Sequence, residues 1–377
     1  MSGIIVHEWL SRYGGSENVF EALSGMFPSA GRFCLWNDSD GRFTGVNETV
    51  LARTPLRRSK AAALAFMPAV WRHQRRQRAD WVLCSSHLFA HHARFAGPAR
   101  QAPKLVYAHT PARYIWAPEL DGRGGSLPAR GVSSLLRPID RRRAQEAVAI
   151  AANSAFVAQR IADAWDREAA VIHPPVDVSA FAAGTETLTP AEEAVLAGLP
   201  TPFLLGVSRF VPYKRLDRVI DTGVAAGLPV VLAGGGPDEA RLRATAAQRG
   251  GRVVFVGDPS PALLKALYRR SLALVFPAME DFGIMPVEAM ATGTPVIASA
   301  EGGTAETVID GVTGALVEQW TTSELQRAVT RAAGATAEAC VARAFAFDLP
   351  VFERRIRTWM STVLGDDRLA LPAGAPR

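Results

Sequence analysis

Glu280-Asp281-Phe282-Gly283-Ile284-Met285-Pro286-Val287-Glu288 is the stretch from which this chain can be read. An apolar run from Leu272 to Pro277 precedes it, and Ala289-Met290-Ala291-Thr292-Gly293-Thr294-Pro295 comes after. The pattern predicts a buried strand, a tight turn through Gly283, and a helix with Pro286 near its first position, where a missing N–H costs nothing. The N–H groups of Gly283, Ile284 and Met285 then point out of the helix N-terminus and form an anion site. Glu280 and Glu288 bracket that site. A carboxylate is a poor partner for phosphate and a good acceptor for hydroxyls. The implied ligand therefore carries phosphate and sugar hydroxyls together, as a sugar nucleotide does.

Earlier in the chain, Val207-Ser208-Arg209-Phe210-Val211-Pro212-Tyr213-Lys214 lies behind another apolar run. An arginine and a lysine five residues apart on one loop can converge on a diphosphate, the first as a fork and the second as a compact charge. Only four of the 42 basic residues are lysines (60, 104, 214, 265), which singles out Lys214. Near the start, Leu10-Ser11-Arg12-Tyr13-Gly14-Gly15-Ser16-Glu17 leads from a strand into an amphipathic helix, and paired glycines there let backbone approach a ligand closely. It is neither a Rossmann Gly-x-Gly-x-x-Gly nor a P-loop. His109 ends the run Lys104–Ala108. A lone histidine is usually structural, but the carboxyl end of a parallel strand is where doubly wound sheets bind ligands. Gly234-Gly235-Gly236 reads equally as a donor contact or a plain turn. Asp38-Ser39-Asp40 lies in a polar loop far from these motifs, and no His/Cys/Asp cluster has metal-ligand spacing along the chain.

Short apolar runs alternate with helical patterns throughout, the mark of open parallel sheets. Strands are expected at 4–7, 32–36, 81–85, 104–108, 147–153 and 170–173, then at 203–208, 230–233, 253–256, 273–277 and 296–300. Pro174-Pro175 closes the first series. Two doubly wound α/β domains are expected: residues 1–180 together with a C-terminal helix within 347–377, and residues 181–346. The last dozen residues read as a frayed end.

Composition sets outer limits. A 377-residue chain with 48% hydrophobic and 21% charged residues can fold as two globular domains. No run approaches the roughly 20 apolar residues of a membrane span. Met1 to His7 reads as a strand and not a signal peptide. Cys34, Cys84 and Cys340 lie far apart and are expected to be reduced, structural and cytoplasmic. Residues 1–180 hold 23 Lys+Arg against 15 Asp+Glu, a net of +8, whereas the remainder holds 19 against 21, a net of −2. The basic clusters at 57–60, 72–78 and 141–143 are either solvated helix faces or a surface for an anionic acceptor or anionic membrane. Nucleic acid is not expected, because no aromatic-interleaved binding motif accompanies them.

The Glu-x7-Glu pattern, with Phe282, Gly283 and Pro286 inside it, resembles the donor site of the family 4 glycosyltransferases, which have the GT-B fold and retain anomeric configuration. The resemblance implies two Rossmann-like domains facing each other across a donor-binding cleft. It implies that Glu280 contacts the donor sugar and Glu288 the nucleotide ribose. Arg209 and Lys214 match the pair that neutralises the leaving nucleoside diphosphate. Gly14 and Gly15 match a loop facing the diphosphate, Gly234 a donor contact, and Asp258 the place of the base. His109 matches a histidine that touches the sugar near the reacting carbon. The string His109-Thr110-Pro111-Ala112-Arg113-Tyr114-Ile115-Trp116 is similar to a narrower group, bacterial mannosyltransferases of O-antigen and exopolysaccharide assembly. Val6-His7-Glu8-Trp9-Leu10 fits that group too, with Glu8 where an aspartate is common.

The resemblance further implies a metal-independent hexosyltransferase without a cofactor, using a nucleoside-diphosphate sugar, with GDP-mannose favoured. The acceptor is a glycan, a lipid-linked sugar or a small molecule, in cell-surface glycan assembly or in secondary metabolism. The protein is expected in the cytoplasm, docked peripherally on the inner membrane face. The rival readings are a same-fold epimerase or phosphorylase, and a nucleotide-binding module without turnover. The Gly-rich segment 121–134 says nothing about the acceptor.

Overall fold

The computed structural model describes residues 2–116, 127–184 and 187–369. The chain divides into two compact units, Met1–Pro175 with Pro350–Arg377, and Val176–Leu349. The break falls just after Pro174-Pro175, because Val176 already belongs to the second unit. It forms a bridge with Asp348, and its N–H donates to the Phe347 carbonyl at 2.9 Å.

The first unit is built on seven parallel strands: β1 (Gly3–Val6), β2 (Gly31–Cys34), β3 (Val46–Glu48), β4 (Trp81–Ser86), β5 (Lys104–Ala108), β6 (Ala149–Ala152) and β7 (Ala170–Val171). Their order in the sheet is β7-β6-β5-β4-β1-β2-β3. Alternate residues pack on opposite faces. Ile4, Val6, Val82, Cys84 and Val106 join one core with Trp71 and Trp165. Ile5, Leu83, Leu105 and Tyr107 join another, beneath α1 (Gly15–Met26) and its Val19, Phe20 and Leu23. Burial on both faces is why the inner strands read as unbroken apolar runs. At the edge, β3 is the polar Val46-Asn47-Glu48, which no apolar run announces.

Helix α2 (Leu127–Ala144) carries Asp140. The second unit has six parallel strands: β8 (Leu204–Val207), β9 (Val230–Ala233), β10 (Val253–Val256), β11 (Ala273–Phe276), β12 (Val296–Ser299) and β13 (Gly314–Val317). Their order is β10-β9-β8-β11-β12-β13. Helix α3 (Leu216–Ala226) follows β8, and α4 (Ile284–Ala291) follows β11. The last helix, α5 (Leu349–Leu364), buries Phe352, Ile356 and Met360, spaced four residues apart, in the core under β1 and β5. Each such side chain contributes roughly 1.5–3 kcal/mol, which ties the C-terminal helix to the first unit.

Both sheets share one consequence of their order. The chain leaves β1 toward β2 and β3, then returns to β4 on the other side of β1; β8 and β11 flank the same reversal in the second unit. At such a switch point the loops leaving the carboxyl ends of the two strands part, and a crevice opens between them.

Candidate active site

In the second unit the loops after β8 and β11 meet across the switch point. After β8 the chain makes a tight turn at Pro212–Lys214, then takes a left-handed step at Arg215 (φ 53°) into α3. After β11 it runs through Glu280 to Gly283, whose φ of 92° is open to glycine and strained for other residues. A side chain there would also meet the Thr304 hydroxyl. The Lys214 Nζ donates to the Glu280 Oε1 at 2.5 Å, with the two side chains 13% and 19% exposed. The Lys214 ammonium also lies 5.3 Å from the ring centre of Tyr213 and 5.7 Å from that of Phe276. Arg209 is exposed and donates to the Tyr213 hydroxyl at 3.4 Å, so Tyr213 links the two basic residues.

Gly283 caps α4, whose first turn leaves N–H groups without helical acceptors. Ile284 and Met285 are half-buried against the apolar core, with their side chains directed inward. The Phe282 side chain is buried and packs edge-on against Phe347 at 5.5 Å, so only its backbone is available to a ligand. Glu288 is half-buried on the same helix; burial pushes its carboxyl up to about 7, against the Tyr268 hydroxyl 3.5 Å away and Lys265. Gly234 packs so closely that a side chain would strike the Ser208 carbonyl, and the Gly235 carbonyl accepts from the Phe210 N–H at 2.8 Å. The glycine turn therefore braces the loop that carries Arg209. Asp258 is exposed beside Gly235.

The sequence reading missed Gly302-Gly303-Thr304. The Gly303 N–H donates to the Glu280 carbonyl at 2.8 Å, which fixes the Glu280 turn. The Thr304 hydroxyl is buried beside Gly283 with no hydrogen-bond partner among the described residues.

The first unit's switch point is chemically different. His7 follows β1, Ser85 lies near the end of β4, and His109 follows β5. The Ser85 hydroxyl bridges them, 3.0 Å from the His7 Nδ1 and 2.8 Å from the His109 Nε2. His87 lies beside both rings, with centroids 5.6 Å and 6.2 Å away. Burial pushes His87 and His109 down to about 3 and lowers His7 well below its ordinary value, so all three imidazoles are neutral. Glu8 is buried as well, and burial raises its carboxyl. Its Oε1 accepts the Leu88 and Ala90 N–H groups at 2.9 and 2.6 Å, holding the loop after β4.

At Gly14-Gly15 the helix N-terminus is filled from within. The Glu17 carboxylate accepts from the Ser11 N–H at 3.2 Å and the Ser16 hydroxyl at 2.8 Å, and any side chain at Gly14 would strike it. Asp38 of the Asp-x-Asp string is paired with Arg57.

Folding also joins His91, His92 and Asp140, residues whose spacing carries no metal signature. Their donor atoms lie within 4.8 Å of one another. The Asp140 Oδ1 faces the His92 Nε2 at 3.0 Å and the His91 Nε2 at 3.2 Å, while its Oδ2 accepts both the Trp116 and Trp165 indole N–H groups at 2.7 Å. Burial raises the Asp140 carboxyl, but His91 and His92 overcome that and hold it below the carboxylate range. With both oxygens engaged, Asp140 serves as a structural hub. The basic clusters are partly committed too. Arg72 and Arg143 pair with Glu146, and Arg141 donates to the Ala164 and Asp163 carbonyls. Arg75, Arg76 and Arg78 remain exposed. Residues 117–126, which overlap the Gly-rich segment 121–134, and 370–377 lie outside the described residues. The three cysteines are buried and unpaired.

Two doubly wound parallel units with charged loops at one switch point define a protein of the GT-B class. Comparison with known proteins agrees: residues 13–180 match the Glycosyltransferase Family 4 model, and residues 191–335 match that of the glycosyl transferases group 1. The chain belongs to the family 4 type of GT-B glycosyltransferases.

Among relatives, D-inositol 3-phosphate glycosyltransferase of Mycolicibacterium smegmatis is 32% identical over 234 residues, covering 58% of this chain and 52% of that protein. That of Mycobacterium tuberculosis is 33% identical over 233 residues, covering 58% and 46%. The chain thus spans about half the length of the curated relatives it matches. Among solved structures, Anabaena HepE in complex with UDP-glucose is 20% identical with a TM-score of 0.67, covering 95% of this chain and 100% of that one. The lipopolysaccharide outer core galactosyltransferase WaaB is 16% identical with a TM-score of 0.66, covering 97% and 99%. At these identities the structures speak for the fold. Among the described residues no helix is long and apolar enough to cross a membrane.

Proposed function

We propose that this protein is a retaining, metal-independent glycosyltransferase. It moves a hexose from a nucleoside-diphosphate sugar to a hydroxyl acceptor in cell-surface glycan or glycoconjugate assembly. Mannose from GDP-mannose is the leading donor, on the strength of the His109–Trp116 and Val6–Leu10 strings. The observation that carries the reading is the Lys214–Glu280 contact beside the N-terminus of α4, where a cation, a carboxylate and open N–H groups sit at one switch point. In the ligand-free state Glu280 neutralises Lys214, and a bound diphosphate takes over that charge.

The reaction breaks the bond from the anomeric carbon to the diphosphate, with oxocarbenium character at that carbon. Lys214, Arg209 and the α4 N–H groups stabilise the negative charge that develops on the leaving group. Released from Lys214, Glu280 accepts from sugar hydroxyls, and Glu288 accepts from the ribose. The acceptor hydroxyl attacks from the face the diphosphate leaves, and its proton passes to a leaving phosphate oxygen. His109 addresses the donor sugar as a neutral hydrogen-bonding group. The net +8 of residues 1–180 suits an anionic acceptor, and the mycobacterial relatives named for inositol 3-phosphate support that choice. It also suits peripheral docking on an anionic membrane through Arg75, Arg76 and Arg78.

The test is a panel of nucleotide sugars, including GDP-mannose and UDP-glucose, scored for thermal stabilisation and for nucleoside diphosphate release with glycan, lipid-linked and phosphorylated-polyol acceptors. The expected product keeps the donor's anomeric configuration. Sugar 1-phosphate, a free C2-epimer, or binding without turnover would each replace this reading with one of its rivals.

A further inference from the structure

The first unit's switch point holds a hydrogen-bonded row with a definite direction. His7, Ser85 and His109 come from the ends of three neighbouring strands, and Ser85 sits between the two rings. A hydroxyl has one proton and two lone pairs, and the Ser85 Oγ is buried with no third partner among the described residues, so it donates to one imidazole and accepts from the other. Two arrangements are consistent. In the first, the His109 Nε2–H donates to Ser85, Ser85 donates to the His7 Nδ1, and the His7 proton is left on Nε2. In the second, the His7 Nδ1–H donates to Ser85, and Ser85 donates to the His109 Nε2, which leaves the His109 proton on Nδ1.

The surroundings of His7 decide between them. Its Nε2 is buried and has no hydrogen-bond partner among the described residues, and the ring lies 5.3 Å from that of Phe20. The first arrangement strands an N–H donor in that dry place, which folded proteins rarely tolerate. The second leaves only an unused lone pair there. Burial also keeps both rings neutral, so neither escapes the choice by taking a second proton. At the other end, the His109 Nδ1 has no protein partner among the described residues, and the residue retains 8% exposure.

We propose that His7 and Ser85 are positioning residues that hold His109 as its Nδ1–H tautomer, so that it presents a hydrogen-bond donor, and not a lone pair, to the sugar. The row settles what kind of group His109 offers: a donor for a hydroxyl or ring oxygen, already oriented before the substrate arrives. The proposal rests on the assignment of His109 to the donor sugar made above, and its two parts are tested separately.

Long-range proton–nitrogen correlation spectra of the histidine-labelled, ligand-free protein read the tautomer directly, with His109→Asn used for assignment. The wild type is expected to show His109 protonated on Nδ1. Ser85→Ala should lose that signature, and Ser85→Thr, which keeps the hydroxyl, should retain it. His7→Asn, which keeps an N–H near the place of Nδ1, should preserve it, whereas His7→Leu should not. An Nε2–H tautomer in the wild type, or an unchanged one in Ser85→Ala, overturns the relay whatever the reaction is.

Turnover then tests its use, on whichever nucleotide sugar the panel identifies. Ser85→Ala should lower kcat at least about tenfold with donor KM nearly unchanged, and Ser85→Thr should restore it. Wild-type kcat in a Ser85→Ala protein with an altered tautomer overturns the positioning role. Wild-type kcat in His109→Ala instead removes His109 from the reaction and with it the assignment on which the proposal rests.

Discussion

The two switch points are the same topological device put to opposite chemical uses. In the second unit the parting loops carry Lys214, Arg209 and Glu280, charged groups reachable from solvent, with Lys214 and Glu280 already in contact. In the first they carry His7, Ser85, His87 and His109, a neutral cluster in which His7, Ser85 and His109 are buried. A diphosphate needs mobile positive charge that can exchange partners as the bond breaks. A sugar hydroxyl needs a fixed, uncharged donor of known direction. One fold supplies both because its strand order makes the crevice, while the residues at the strand ends choose the chemistry.

The first unit also holds the buried Asp140 hub, and removing that acceptor should produce the largest change in stability. Asp140→Ala leaves two indole N–H groups and the His92 imidazole without their acceptor and removes the charge beside His91, a loss of about 3–5 kcal/mol for a broken buried pair. Denaturant melts should show it in the first unit, with nucleoside diphosphate affinity retained wherever the protein is folded. An unchanged melt would mean that the hub is no hub.

Glu288 sharpens the contrast from the other side, since burial pushes its carboxyl up to about 7 whereas the imidazoles of the first unit's switch point stay neutral. Its folded pKa of about 7 lies above the unfolded value, so the folded state holds the extra proton between the two. Ligand-free stability from this group therefore falls as pH rises toward 7. Glu288→Gln should be the more stable protein at pH 8, and the advantage should vanish near pH 5. Donor KM in the wild type should rise as pH drops below about 7, because a neutral carboxyl accepts ribose hydroxyls less well. In Glu288→Gln, KM should be raised with modest loss of kcat and little pH dependence. A collapse of kcat at unchanged nucleotide affinity would exchange the roles of Glu280 and Glu288.

The smallest effect concerns the charge carried outside both crevices. Each exposed arginine near an anionic surface is worth about 1 kcal/mol, screened by salt. Co-sedimentation with anionic vesicles should therefore rise at low salt and fall in Arg75→Glu/Arg76→Glu. Equal binding to neutral vesicles would refute electrostatic docking.

How much of this the sequence carried differs between the units for a physical reason. Strands buried on both faces announce themselves as apolar runs, which is why β1, β4 and β5 are readable at once. The edge strands β3 and β13 are not, because Val46-Asn47-Glu48 is polar and Gly314–Val317 begins at a glycine. The charged site is legible because its parts lie within contiguous motifs: Arg209 to Lys214, and Glu280 to Glu288. The row of His7, Ser85 and His109 is not, since its members are 78 and 24 residues apart and meet only through the strand order. His91, His92 and Asp140 are hidden in the same way. Glu17 filling the Gly14-Gly15 turn, and Gly303 bracing Glu280, are local contacts that spacing alone does not predict.

The charged switch point is probed most sharply by the transfer rate of Lys214→Ala with saturating donor, set beside its ligand-free melting temperature. A fall in kcat of about 10²–10³-fold is expected, the cost of one lost contact to the leaving group. Nucleoside diphosphate affinity should weaken and the melting temperature change little, because Glu280 keeps access to water. Lys214→Arg should recover only part of the rate, since a planar fork does not reproduce a compact charge. A Lys214→Ala protein that turns over donor at the wild-type rate would remove this loop from the chemistry and leave the Lys214–Glu280 contact as an ordinary ion pair.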